Sequence, residues 1–251
     1  MTHDGPAAAM VEDLRLLVYT QLATTGRIET VEHLAASLQL STADVVAGLD
    51  ALHASRDLVL DEVGQVVLAH PFATINVGFS VMGEATMWWG GCAWDAFAIP
   101  HLVDAEPDTL VATRCPECRT PHAWNVTRAA APAGEQIVHF ATPMARVWDD
   151  VVHACRHQRI FCDDACLDRH LDAHSPTDRG FRFDVRTLWN LAAHWYDGRL
   201  DRGYRRREPA SAAAYFDSVG LTGPFWGTAR HDDVEDGPPG VGTRACLESG
   251  A

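Results

Sequence analysis

The feature that most constrains the fold is a change of hydrophobic period near residue 58. Before that point, apolar side chains recur at helical spacing in three segments, and Thr30 and Ser41 stand where helix caps are needed. After it, two short β-rich runs flank Gly64 and predict a hairpin. Three helices followed by a hairpin predict a winged-helix-like bundle over residues 1–70.

Short β-rich runs alternate with short amphipathic segments through residues 71–230. Ile137–Phe140 predicts a strand, for example, whereas Ala145–His157 predicts a helix with one apolar stripe. We therefore expect an α+β fold, in which the winged-helix-like bundle precedes a small mixed or antiparallel sheet with packed helices and a helical C-terminal extension. Residues 231–251 are rich in glycine, proline and acidic residues and predict a disordered tail.

The charge balance argues against the usual function of a winged helix. The chain has 20 basic residues, all arginine, against 34 acidic ones, which gives a net charge of −14. Residues 1–70 alone carry three arginines against ten carboxylates. Because an acidic surface repels a phosphate backbone, we expect no nucleic-acid partner and interpret the bundle as a packing module.

The sequence shows no membrane or export signal, since no apolar run approaches the roughly 18–20 residues of a membrane span. We therefore expect a cytoplasmic protein with no membrane partner. The cytoplasm keeps thiols reduced, so clustered cysteines there indicate metal binding or catalysis more often than disulfides. The seven cysteines are Cys92, Cys115, Cys118, Cys155, Cys162, Cys166 and Cys246.

Cys92 follows the glycine pair Gly90-Gly91, which releases the chain from a predicted strand. The thiol then stands at the start of a predicted helix, where the helix dipole favours thiolate over thiol. Asp95, three residues on, shares a helical face with it. A thiolate beside a carboxylate can bind a soft ion and move a proton, although a buried cysteine with an ordinary first-turn aspartate has the same pattern.

Cys162 follows Phe161 at a second predicted junction of a strand and a helix. The pattern Cys-Ala-x-Asp at residues 92–95, the later Pro100 and the downstream Phe-Cys pair together resemble the alkylmercury (organomercurial) lyase family. The resemblance covers about residues 10–175.

The resemblance implies an enzyme that cleaves the carbon–mercury bond of an organomercurial by protonolysis, giving a hydrocarbon and Hg(II). It implies that Cys92 and Cys162 bind mercury and that Asp95 carries the proton. The chemistry is reasonable because Hg(II) prefers thiolates and the leaving carbon needs an acid beside it. No organic cofactor is implied. Small thiols would serve as co-reactants, and Hg(II) would pass to them or to a mercuric reductase.

A second interpretation uses the spacings Cys-x2-Cys and Cys-x3-Cys, which are typical of thiolate ligands to zinc. In that alternative the protein is a non-lyase relative that holds zinc or another soft metal. Cys162 cannot easily serve both roles, and accessory thiols that pass Hg(II) outward are an intermediate case. Cys155 lies on an apolar helical stripe and is predicted to be core. The four cysteines of the metal alternative are Cys115, Cys118, Cys162 and Cys166.

Overall fold

The computed structural model describes residues 6–228 and contains eight α-helices and ten β-strands in that part of the chain. The helices are α1 (Pro6–Thr25), α2 (Val31–Leu38), α3 (Thr42–Ala54), α4 (Ala93–Leu102), α5 (Val151–Arg156), α6 (Asp164–His174), α7 (Val185–Ala193) and α8 (Pro209–Ser218). The strands are β1 (Val59–Leu60), β2 (Val66–Ala69), β3 (Phe72–Ala73), β4 (Phe79–Met82), β5 (Met87–Gly90), β6 (Asp108–Arg114), β7 (Pro121–Thr127), β8 (Ile137–Phe140), β9 (Gln158–Phe161) and β10 (Phe181–Asp184).

The strands form two sheets, and every strand pair in the described residues is antiparallel. The larger sheet has the order β1-β2-β3-β5-β4-β6-β7, and the smaller one has the order β10-β8-β9. The expected α+β class is confirmed. Of the expected mixed or antiparallel arrangements, the described residues show the antiparallel one in both sheets.

The three predicted N-terminal helices and the hairpin are present. Ser41 and Asp44 form the predicted capping box at the start of α3. The hairpin β1–β2 is an extension of the larger sheet, because β2 pairs with β3 beyond it. The predicted division at residue 70 therefore falls within a continuous sheet, and the winged-helix label for this bundle stays a prediction.

Helix α4 is the centre of the fold. All residues from Ala93 to Pro100 are buried, and the helix packs against α7 and the larger sheet. Gly90 permits its close approach, because a Cβ at this position would lie 2.7 Å from the Cβ of Ala96. The glycine pair therefore brings the first turn of α4, which carries Cys92, against the sheet.

The predicted helix at Ala145–His157 is divided in two. A 3-10 helix spans Met144–Asp149, and α5 follows it. The division falls at Asp150, whose extended backbone (φ −152°, ψ 90°) lets its side chain accept a hydrogen bond from the backbone N–H of His153. This aspartate therefore starts a new helix instead of continuing the first.

The C-terminal extension covers α4 and the smaller sheet with aromatic side chains. The Trp94 ring lies 4.6 Å from Trp195 and 5.9 Å from Phe216, and Phe216 lies 5.1 Å from Trp226. The predicted tail at residues 231–251 lies outside the described residues. Within residues 6–228, no helix combines the length and apolar character that crossing a bilayer requires.

Candidate active site

Cys92 is the N-cap of α4, between β5 and the helix. Its backbone is extended, and its sulfur accepts a hydrogen bond from the backbone N–H of Asp95 at 3.4 Å. Gly91 makes room for this turn, since a Cβ there would lie 2.4 Å from Asp95 Oδ2. The sequence pattern Gly-Gly-Cys-x-x-Asp thus places one thiol and one carboxylate in contact on a buried helix start.

Asp95 is the polar centre of the site, with only 1% of its surface exposed. Its Oδ2 accepts a hydrogen bond from Cys92 Sγ at 3.2 Å and lies 2.9 Å from Nδ1 of His70. Its Oδ1 accepts a hydrogen bond from the Tyr196 hydroxyl at 2.5 Å. Both carboxylate oxygens therefore have partners, as a buried carboxylate requires.

A second thiol reaches this carboxylate from α5. Cys155 Sγ lies within 4.8 Å of the ligand atoms of both Asp95 and His70, and its side chain also interacts with the thiol of Cys92. The residue is buried, as its position on an apolar stripe predicts. Its place beside Cys92 was not predicted, because the stripe indicates burial without indicating the neighbour.

The surroundings of Cys92 shift its pKa toward the neutral thiol. Burial raises the pKa of Cys92 well above its usual value, and the neighbouring Cys155 side chain and the Asp95 charge raise it further. The backbone N–H of Asp95 lowers this pKa, but by less. This shift is opposite to the one expected from a helix start, because desolvation and a neighbouring negative charge outweigh the backbone N–H of Asp95.

His70 and Tyr196 surround Asp95 with proton donors. Burial alone would lower the pKa of His70, but the charges of Asp95 and Cys155 and the Asp95 hydrogen bond outweigh it and raise that pKa. Burial also raises the pKa of Tyr196 well above its usual value, and the Asp95 charge adds to this. The Nε2 atom of His70 is buried without a partner. Sequence reasoning missed both residues, because neither belongs to a local motif.

The site opens into a cavity of about 510 Å³. Its apolar walls are mainly aromatic, and four arginines also line it. Much of the lining comes from the C-terminal extension, to which the sequence assigned no role. The aromatic residues are Trp94, Trp148, Trp195, Tyr196, Tyr204, Phe216 and Trp226, and the arginines are Arg56, Arg199, Arg206 and Arg207.

The structure does not bring Cys162 to Cys92. Cys162 follows β9 and lies in a separate cluster, where its Sγ is 3.3 Å from Cys118 Sγ and 3.4 Å from His122 Nε2. The expected convergence of Cys162 on Cys92 is therefore not present in the structure. The thiol that lies beside Asp95 comes from α5, which precedes that strand.

The four cysteines of the second cluster meet as their spacing predicts. The Sγ atoms of Cys115, Cys118, Cys162 and Cys166 all lie within 4.8 Å of one another. Two of them are buried, Cys162 is half-buried and Cys118 is exposed. The cluster joins the turn after β6 to the start of α6, and all four thiols are free of disulfides.

The family model described as alkylmercury lyase matches residues 72–197, which is half of the chain. Among solved structures, the chain is similar to the mercury-bound form of MerB2, with a TM-score of 0.53 and 15% sequence identity. The similarity covers 74% of this chain and 95% of that one, and it shows a shared fold. No curated protein matches the chain.

Proposed function

The chain belongs to the alkylmercury lyase family, and from this premise we propose that Cys92, Asp95 and Cys155 cleave the carbon–mercury bond of its substrate by protonolysis. The products are a hydrocarbon and Hg(II). The observation that carries the proposal is the convergence of two buried thiols on one buried carboxylate at the end of a cavity. The two thiols supply soft ligands for mercury, and the carboxylate carries the proton that the leaving carbon needs.

The first step exchanges the proton of Cys92 for mercury. The organomercury cation enters with a weakly held anion; the sulfur–mercury bond forms, and the anion leaves. The Cys92 proton passes to Asp95 Oδ2, which lies 3.2 Å from the sulfur. A high thiol pKa suits this step, because it keeps the proton in the site until the metal displaces it.

The second step breaks the carbon–mercury bond. Cys155 binds the same mercury, which adds electron density to the metal and to the attached carbon. Asp95 then gives its proton to that carbon, so a carbon–hydrogen bond forms as the carbon–mercury bond breaks. Two thiol protons enter the balance: one leaves in the hydrocarbon, and the other leaves through the hydrogen-bonded pair of Asp95 and His70.

His70 and Tyr196 act as positioning residues for Asp95. Each contacts a different carboxylate oxygen, so together they fix the plane of the carboxylate. That plane directs Oδ2 toward Cys92. The roles are analogous to the hydrogen bonds that orient a catalytic carboxylate or histidine in other enzymes.

The cavity suits both the organic group and a thiol co-reactant. Its aromatic side chains provide an apolar surface for the hydrocarbon part of the substrate. Its arginines provide positive charge for a small anionic thiol, which we propose removes Hg(II) from the two cysteines. Such a thiol, or a mercuric reductase, is the proposed acceptor of the product.

The separation of the two cysteine clusters favours a lyase over a relative that only binds metal. Because Cys155 supplies the second thiol, Cys162 is free to remain with its own cluster. That cluster has no part in the proposed chemistry. A cytoplasmic location and the lack of a nucleic-acid partner stay predictions, and the acidic charge supports the second of them.

The test is benzene release from a phenylmercury salt in the presence of excess thiol. We expect release that depends on both protein and thiol and that Cys92→Ser abolishes. A matched Cys118→Ser variant should retain it, because Cys118 is exposed in the other cluster. Folded wild-type protein that releases no benzene, or Cys92→Ser protein with full activity, would overturn the proposal.

A further inference from the structure

We propose that Cys115, Cys118, Cys162 and Cys166 hold a resident zinc ion that joins the two sheets. This zinc is separate from the mercury that the enzyme turns over. The proposal does not depend on the lyase activity, because it uses none of the three residues of the active site.

The spacing of the four sulfur atoms fits a tetrahedral ion. Zinc–sulfur bonds of about 2.3 Å put the sulfur atoms of a tetrahedral site about 3.8 Å apart. In the structure all four lie within 4.8 Å of one another, and the Cys118–Cys162 pair is 3.3 Å apart. Changes of up to about one ångström in the sulfur–sulfur distances would therefore bring the four sulfur atoms to this tetrahedral spacing.

The first pair of ligands lies on a tight turn between β6 and β7. The backbone N–H of Cys115 donates to the carbonyl of Thr120, and the N–H of Arg119 donates back to the carbonyl of Cys115. Arg119 has a positive φ of 65°, a conformation that non-glycine residues seldom adopt. The turn thus keeps an unfavourable backbone conformation while it places both sulfur atoms on the same side.

The second pair of ligands lies where β9 passes into α6. Cys162 directly follows the strand, and Cys166 stands in the first helical turn. Asp163 is the N-cap and accepts a hydrogen bond from the backbone N–H of Cys166 at 2.7 Å. The carboxylate is thus engaged in capping the helix, while both sulfur atoms face the Cys115–Cys118 turn.

Neighbouring donors offset the charge that four thiolates would carry. Four thiolates around a divalent ion have a net charge of −2, which surrounding N–H groups must stabilise. Arg169 donates a hydrogen bond to Cys166 Sγ at 3.2 Å. His122 Nε2 lies 3.4 Å from Cys162 Sγ and can donate a second one. These partners are the outer groups that a thiolate metal site requires.

The ligand set indicates a structural ion. Four thiolates in a tetrahedron leave no open position for substrate, and this arrangement is characteristic of structural zinc. The apolar packing beside it is small, with Phe161, Leu167 and Leu171 as its main members. A metal bond between the β6–β7 turn and α6 would therefore supply stability that this packing does not.

The experiment measures the metal in protein purified under reducing conditions, without chelator and before any exposure to mercury. We expect inductively coupled plasma mass spectrometry to find about one zinc per wild-type chain. Cys118→Ser should lose most of that zinc, whereas Cys118→His, which keeps a zinc ligand, should retain it. Cys155→Ser is the matched control from the active site and should retain the full zinc content.

Cobalt substitution gives a readout that does not depend on how the variants fold. Wild-type protein loaded with Co(II) should show the strong visible bands of a tetrahedral thiolate site, and the four ligand cysteines should resist alkylation. Wild-type protein that binds neither metal would overturn the proposal. So would a Cys118–Cys162 disulfide in freshly purified protein, or equal zinc loss from Cys118→Ser and Cys155→Ser.

Discussion

The two cysteine clusters contain the same reactive group in opposite surroundings. Cys92 and Cys155 are both buried, share the carboxylate of Asp95 and line a cavity. In the other cluster, Cys118 is exposed and the thiols lie against one another, with the Arg169 guanidinium beside them. The first arrangement keeps a proton next to sulfur, and the second arrangement gathers four sulfur ligands around one point.

The difference teaches what makes a thiol pair suitable for protonolysis. The pKa of the exposed Cys118 is lowered to about 6, first by its Thr120 hydrogen bonds and then by Cys162. In contrast, burial and the Cys155 and Asp95 neighbours raise the pKa of Cys92. A thiol that has already lost its proton binds a metal well but brings no proton to a carbon atom.

The largest effect is expected from Cys155→Ser. Loss of the second soft ligand should reduce kcat/KM for benzene release on the order of 10³-fold or more, as removal of a residue that acts in a unit commonly does. The measurement is steady-state benzene release by folded protein. Cys162→Ser serves as the counterpart from the other cluster. Should Cys162→Ser lose as much activity as Cys155→Ser while keeping its fold, the two clusters would not be functionally distinct.

Asp95→Asn should separate mercury binding from bond cleavage. The amide cannot accept the Cys92 proton, so we expect kcat to fall on the order of 10²- to 10⁴-fold, as for loss of a general acid. The phenylmercury adduct should still accumulate, because both thiols remain and the Cys92 proton can pass to the anion that leaves the mercury. Intact-protein mass spectrometry would show this adduct, and a rapid-quench assay would measure benzene. A variant that releases benzene at the wild-type rate would remove Asp95 from the proton path.

Tyr196→Phe should have a smaller effect, because it leaves the carboxylate in place and removes one of its hydrogen bonds. A hydrogen bond to a charged group is worth about 1.5–3 kcal/mol, which corresponds to a fall in kcat of roughly 10- to 160-fold. The KM for the organomercurial should change little, since phenylalanine keeps the aromatic ring that lines the cavity. A change confined to KM would show that the hydroxyl acts on substrate binding rather than on Asp95.

His70→Gln should change the pH dependence of stability. The folded pKa of His70 is raised, so its stabilising contribution is complete below the unfolded pKa of about 6.5 and is lost as the pH rises through the folded pKa. The free energy of unfolding should therefore differ most between wild type and variant at about pH 6 and below, and the difference should shrink as the pH rises through the folded pKa. Urea denaturation across this range measures it, and a difference that grows with pH would contradict the assignment.

Most of the fold was predictable because its signals are local. The capping box at Ser41 has its predicted partner, Asp44, and the strand Ile137–Phe140 has its predicted bounds. Both signals act within a few positions along the chain. The split at Asp150 was missed, because the apolar stripe continues across it while one capping aspartate restarts the helix. An apolar stripe shows which face of a segment is buried, but it does not show whether the segment is one continuous helix.

The site was only partly predictable, because only some of its contacts join residues that are close in the sequence. Cys92 and Asp95 share one helical turn, so their contact follows from spacing. Cys155, His70 and Tyr196 come from α5, the turn after β2 and the region after α7, and nothing local links them. The preceding phenylalanine made Cys162 the more attractive second thiol, although it lies in the other cluster.

The sequence by itself determined the α+β class, the pairing of Cys92 with Asp95 and the existence of a four-cysteine group, since each depends on spacing along the chain. The tertiary structure decided which thiol lies beside Asp95 and in which direction the pKa of Cys92 shifts. It also assigned the C-terminal extension to the cavity wall. Those features depend on burial and on contacts between distant segments, and the free energy of a buried proton or charge is set by all the groups that surround it.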